Sequence, residues 1–207
     1  MRQQMGYRYD VFLSYNRKFP YGLWVDEIFC PLFVPYLEDA LNQRVSLFKD
    51  TEEIEGGSAW PHRIKNALAH SKCMVSIFSP SYFRSEWCLK EFSIMYYRQK
   101  QLGYLTLEKP HGLILPVNIF DGEHFPGCAR ELQMLNCIDF NRVGEGMKKT
   151  KLYIDLQGLL QNWVYDVATS IHNAPGWDEG WLTPDWLDIP FDYVRKENTA
   201  RVKKPNL

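Results

Sequence analysis

The chain has 207 residues, 45% of them hydrophobic, with 24 Lys and Arg against 25 Asp and Glu for a net charge of −1. That length suits one substantial core with extensions, and the near-neutral balance gives no signal for a polyanionic partner, so nucleic acid and acidic membrane surfaces are not expected. The five cysteines (30, 73, 88, 128 and 137) are odd in number and contain no C-x-x-C pair, and the five histidines are scattered singly, so neither a disulfide framework nor a metal site is expected.

Strand and helix signals alternate along the chain. Tyr9 to Tyr15 (YDVFLSY) is short, β-branched and aromatic, and ends at polar Asn16-Arg17-Lys18, which predicts a buried first strand whose carboxyl end opens into a loop. The stretch from Arg17 to Cys30, aromatic through Phe19, Tyr21, Trp24 and Phe29, reads as a long loop. Apolar residues then recur at three and four spacing within Pro31 to Gln43, with Pro31 suited to a first helical turn. Arg44 to Phe48 predicts a second strand, and the polar Lys49 to Gly57 segment ends it. Ser58 is a candidate cap for a helix running to about His70, with Ile64, Ala67 and Leu68 inward.

Cys73 to Phe78 (CMVSIF) predicts the third strand. Ser79-Pro80-Ser81-Tyr82 breaks the chain, and Ser85 is placed to cap a helix with Cys88, Phe92 and Met95 as its buried stripe. Leu113 to Phe120 predicts a fourth strand, bulged or edge-like at Pro116, and Cys137 to Phe140 a weak fifth. Leu152, Leu156, Leu159, Leu160, Trp163, Val167 and Ile171 mark a long amphipathic closing helix. No apolar run approaches membrane-spanning length, and Met1 to Arg8 lacks the apolar core of a signal peptide, so a cytoplasmic protein is expected.

This alternation predicts an α/β, flavodoxin-like five-stranded parallel sheet of order 2-1-3-4-5 with helices on both faces. In such folds ligands bind beyond the strand carboxyl ends at the switch point, here between strands 1 and 3. A phospho-acceptor receiver needs acidic residues at those strand ends, where this chain has Asn16 and Ser79, and no P-loop or G-x-G-x-x-G turn is present. The helix entered from Ser79 carries Trp87 and Glu91 four residues apart, on one face near its N-terminus, where an anionic ligand and an acid can meet. Taken alone, such a pair is usually packing plus a solvated charge.

YDVFLSY, LFKDTEEIEGGSAWPHRIKNALAHS and VSIFSPSYFRSEWCLKEF, in that order, resemble the Toll/interleukin-1 receptor (TIR) domain family over about Tyr9 to Ile171. The most specific block is the strand followed by S-x-x-Y-x-x-S-x-W-C-x-x-E. The resemblance implies a TIR domain over 1–173, followed by a Trp-rich and then basic extension over 174–207. It also implies one of two functions. Many plant, bacterial and axonal TIR domains cleave NAD+ between nicotinamide and ribose with a Glu that aligns with Glu91, whereas receptor and adaptor TIR domains act as scaffolds. The retained Glu91 favours an NAD+-cleaving enzyme that makes an ADP-ribose-derived signal or depletes NAD+, most like stand-alone bacterial defence proteins of Thoeris type. A non-catalytic scaffold and a secreted mimic of host TIR signalling stay open.

On this reading NAD+ is substrate, no metal is required, and Glu91 is the catalytic residue. Trp87 offers a π face to the nicotinamide or ribose, or else is a core-edge aromatic. Ser14, Tyr15 and Arg17 are placed to meet the nucleotide, the Arg17 guanidinium suiting the pyrophosphate or remaining an ordinary solvated loop cation. Phe48 and Asp50 resemble the family's pocket wall, Asp50 serving equally as a turn cap. Cys88 reads as packing. The resemblance further implies self-association through the BB loop, Thr51 to Trp60, and a downstream effector that senses the product. The Trp177, Trp181 and Trp186 segment is expected to pack across the domain, with partner docking as its alternative.

Overall fold

The computed structural model describes residues 6–49, 62–123 and 125–189. Asp50 and the Thr51 to Trp60 segment, to which substrate contact and self-association were assigned, and the Ser58 cap lie outside them.

Five strands form one parallel sheet of order β2-β1-β3-β4-β5, as the alternation of elements predicts. They are β1 (Tyr9–Ser14), β2 (Leu47–Lys49), β3 (Ser71–Phe78), β4 (Ile114–Asn118) and β5 (Leu135–Asn136). The central strands β1 and β3 pair Val11 with Cys73 and Ser14 with Ser76, so their carboxyl ends finish side by side. Both are buried along nearly their whole length, as befits strands covered on both faces.

Alternation along β1 divides the core in two. Phe12 faces a cluster with α3 (His62–Ala69) and α4 (Glu86–Gln101). Val11 and Leu13 face the other, built from α1 (Tyr21–Trp24), α2 (Cys30–Leu41) and, after the four-residue helices α5 (Gly127–Arg130) and α6 (Glu145–Lys148), α7 (Lys151–His172).

Three sequence expectations are corrected by these elements. The region read as a loop up to Cys30 is helical from Tyr21, because a π-helical turn at Val25–Phe29 joins α1 to α2. The Cys30 N–H reaches back five residues to the Val25 carbonyl. This wider turn lets the chain pass Pro31, whose ring in a regular helix crowds the carbonyl four residues before it. The fifth strand is Leu135–Asn136 rather than Cys137 to Phe140, which instead forms a 3-10 turn at Ile138–Phe140. There the Asn136 side chain accepts from the Ile138 N–H at 3.1 Å and bends the backbone out of the ladder.

The second strand also begins later than its apolar pattern suggests, since the Val45 N–H is held by Glu38 Oε1 and the Ser46 N–H by Asp10 Oδ2. In β4, Met74 N–H donates to Leu113 O and Ile119 N–H to Phe78 O, so odd-numbered residues bond toward β3. Pro116 therefore turns its missing N–H toward β5, which pairs only from Val117 onward.

Gly22 opens the α1 turn against the loop that leaves β1. A Cβ at this position would stand 2.3 Å from the Arg17 carbonyl oxygen. Gly22→Ala is expected to displace that loop and lower stability by about 1–3 kcal/mol, read as a fall in the urea midpoint at constant m-value. An unchanged midpoint would contradict this close backbone approach.

The chain beyond α7 returns to the α3 and α4 side through a 3-10 turn (Glu179–Leu182) and α8 (Pro184–Leu187). Trp181 is 3% exposed there, and Trp177 Nε1–H donates to Ala69 O at 3.2 Å. Among the described residues no helix is long and apolar enough to cross a membrane.

Candidate functional site

β1 ends at Ser14 on its Phe12 side, and α4 begins four residues after Tyr82 with Ser85 as its cap, the Ser85 Oγ accepting from Cys88 N–H at 3.4 Å. These two origins fix the site. Glu91 lies in the second turn of α4, 8% exposed, and its Oε2 accepts a hydrogen bond from Ser14 Oγ at 2.6 Å. Ser14 Oγ is in turn 2.8 Å from the Tyr82 hydroxyl. A serine hydroxyl carries one proton, and with that proton on Glu91 the Tyr82 O–H is the donor to Ser14.

Tyr82 is fully buried, with its N–H held by Ser79 O at 3.0 Å and Ser79 Oγ at 3.2 Å. Burial foremost, then Cys88 and the Glu91 charge, pushes its hydroxyl well above the usual tyrosine range, so it stays protonated. Burial and then Glu91 likewise raise the Cys88 thiol, with Arg17 as one of the groups opposing them. A thiol held in its neutral form suits packing rather than nucleophilic chemistry.

Asn16 ties together the loops that leave β1 and β3. Its Nδ2 donates to Ser81 O at 2.9 Å and its Oδ1 accepts from Lys18 N–H at 3.0 Å. Arg17, between them, is exposed, and its charge is felt at Cys88 in the first turn of α4. Trp87 is half-buried, packing against the α3 and α4 core cluster.

The remaining predicted residues divide. Phe48 is buried on the Glu91 side of the sheet, stacked on Phe12 at 5.0 Å between ring centroids and meeting Tyr9 edge-on at 5.2 Å. It is core on that side of the sheet. Tyr15 is not brought to the cluster: one step past Ser14 the chain turns it to the opposite core, among Leu13, Trp24 and Val25. Asp50 is outside the described residues. Sequence reasoning passed over Tyr82 and Asn16, reading one as part of a chain break and the other as a loop residue. Tyr82 already stood in the S-x-x-Y portion of the most specific motif.

A separate cavity of about 400 Å³ lies toward the amino end of β4, between Ile114, Leu115, Met134, Trp163 and Asp166, and contains none of these residues. Among the described residues no group of three or more His, Cys, Asp or Glu is disposed to hold a metal.

A sheet of this order with an acid, an indole and polar strand ends at its switch point defines the class to which comparison points. A family model described as TIR domain matches residues 11–152, and the chain belongs to the TIR-domain family. Among curated proteins it is similar to "Probable 2' cyclic ADP-D-ribose synthase BdTIR" of Brachypodium distachyon, 34% identical over 77 residues, covering 37% of this chain and 34% of that protein. It is also similar to TMV resistance protein N of Nicotiana glutinosa, 31% identical over 84 residues, 40% of this chain and 7% of that protein. The chain therefore spans about a third or less of these relatives.

Two solved structures are also similar. The TIR domain of the Toll-related receptor TRR-2 of Hydra magnipapillata aligns with a TM-score of 0.41 and 19% identity, over 74% of this chain and 99% of that one. The TIR domains of the activated Roq1 resistosome align with a TM-score of 0.37 and 22% identity, over 80% and 85%. Neither likeness bears on function.

Proposed function

We propose that the chain is an NAD+-cleaving TIR domain in which Glu91 is the catalytic residue. The observation that carries this reading is a carboxylate held by Ser14 at the carboxyl ends of the two central strands, four residues after a half-buried Trp87. Family membership and the cyclic ADP-ribose synthase named among its relatives support the same direction.

One carboxylate suits the chemistry. The nicotinamide ring of NAD+ is already cationic, so when its bond to ribose breaks it leaves neutral with both bonding electrons, and positive charge moves onto the ribose. No proton donor to the leaving group is needed. A fixed anion on the ribose side stabilises the oxocarbenium-like transition state, preorganised groups of this kind being worth roughly 3–4 kcal/mol. Water then gives ADP-ribose and a proton, while an internal hydroxyl or adenine nitrogen gives a cyclic product. In this reading Arg17 would meet the pyrophosphate, and Trp87 would flank the nicotinamide or ribose. Cytoplasmic defence, through a messenger sensed by an effector or through loss of NAD+, belongs to the same proposal.

The test is release of nicotinamide from NAD+ by the purified protein, compared with Glu91→Gln. One observation favours the scaffold reading instead: Glu91 is only 8% exposed, as a purely structural carboxylate would be. No release by the wild type across protein concentrations decides for the scaffold.

Self-association through residues 51–60 completes the proposal. The expected result is a specific activity that rises with protein concentration, and a flat specific activity over a wide dilution series rejects it.

A further inference from the structure

Ser14 and Glu91 are 77 residues apart in sequence, and Ser14 and Tyr82 are 68 apart, yet their polar atoms form one buried chain. Ser14 is 1% exposed and Tyr82 fully buried. The 2.6 Å contact falls in the range of a charge-assisted O–H···O⁻ bond. Its members sit on stiff supports: Ser14 ends the central strand, and the Tyr82 ring is wedged against Phe78 at 5.3 Å and Phe83 at 5.1 Å between centroids.

We propose that Tyr82 and Ser14 are positioning residues, a two-step hydrogen-bond relay that aims the Glu91 carboxylate and holds it against rotation at the crevice. This reassigns Ser14. Its single proton is directed inward to Glu91, so it has none to donate to a ribose hydroxyl or phosphate, and its part in catalysis runs through the acid. Tyr82 fixes the Ser14 hydroxyl by donating to it, which leaves one direction for the Ser14 proton. Such supporting shells set the geometry of the group that touches substrate.

Cys88, from the helix that carries Glu91, is kept as a neutral thiol by burial, and Tyr82 enters from the β3–α4 connection. Arg17 contributes charge from the loop after β1.

The inference deepens the proposed cleavage, so its test has one arm that needs no turnover. In protein labelled with [5-¹³C]glutamate, the Glu91 carboxyl resonance is assigned by its loss in Glu91→Gln. Ser14→Ala is expected to move that resonance most, Tyr82→Phe to move it less, and Ser14→Thr, which keeps the hydroxyl, to leave it near the wild-type position. A resonance that stays in place in both Ser14→Ala and Tyr82→Phe overturns the relay.

The second arm rests on the proposed activity. Ser14→Ala and Tyr82→Phe are expected to lower kcat for NAD+ about ten- to a hundredfold, with KM within about twofold and with rescue by Ser14→Thr, because a misaimed group weakens the transition state more than binding. Unchanged kcat in variants whose resonance has moved overturns the positioning role. A wild type that releases no nicotinamide but shows the full resonance pattern supports the relay and rejects the cleavage reading alone.

Discussion

Glu91→Gln is expected to reduce nicotinamide release about a hundred- to a thousandfold, with KM for NAD+ little changed and the thermal midpoint unchanged or raised. The substitution is nearly isosteric, and its amide oxygen can accept the Ser14 hydrogen bond that Oε2 accepts now at 2.6 Å. What it removes is the negative charge. The proposed role of that charge is realised only as positive charge develops on the ribose, so its loss falls on kcat rather than on ground-state binding, and one preorganised group is typically worth 10²–10³ in rate. Stability is not expected to suffer, because a largely buried carboxylate gives way to a neutral group that needs no desolvation of charge. Steady-state kinetics with quantified nicotinamide check this. A variant that keeps more than about a third of wild-type kcat would show that the acid is not catalytic.

The sheet order was legible because each strand announces itself as an apolar run ended by polar or turn residues, and the intervening stripes have helical spacing. The helical residues Tyr21 to Phe29 read as loop, although Tyr21, Trp24, Val25, Ile28 and Phe29 continue the spacing of Leu32 and Phe33 without a break. A proline signals a helix start only when the chain has no other way past it, and one π turn supplies that way. β5 is not legible in sequence because two paired residues carry no periodic signal at all, and the apolar Ile138 that suggests a strand further on is held in a turn.

The site divides along the same line. The acid and the indole were legible as a motif on one helix, and Ser14 as a polar residue at a strand end. Their connection was not, since it depends on contacts between residues 68 and 77 apart. Tyr15 shows how strand alternation governs what a sequence neighbour can reach, for the residue next to Ser14 lies in the other core.

The C-terminal tryptophans yield the second large effect, on stability. Trp181→Ala is expected to cost about 3–5 kcal/mol, a fall of roughly 10 °C in thermal midpoint for a chain of this size. Trp181 is 3% exposed, its ring 4.3 Å from the Arg98 guanidinium carbon and 5.9 Å from the Tyr7 ring. Arg98 is 1% exposed, donating to Ser71 O at 3.0 Å and Leu68 O at 2.9 Å. Burial pushes its pKa down to about 10, which leaves it charged at neutral pH. A buried cation held by carbonyls relies on the indole face for the remainder of its shielding, and cation–π contact in a desolvated setting is worth about 2 kcal/mol. Removing the ring therefore opens a void and bares one side of that charge together. Trp186→Ala is the comparison: that ring is half-buried and meets Tyr97 edge-on at 5.4 Å, so about 1–2 kcal/mol is expected. Urea denaturation of the two variants measures the difference. Equal, small losses of under about 0.5 kcal/mol in both would mean that residues 174–189 are an appendage that the domain folds without.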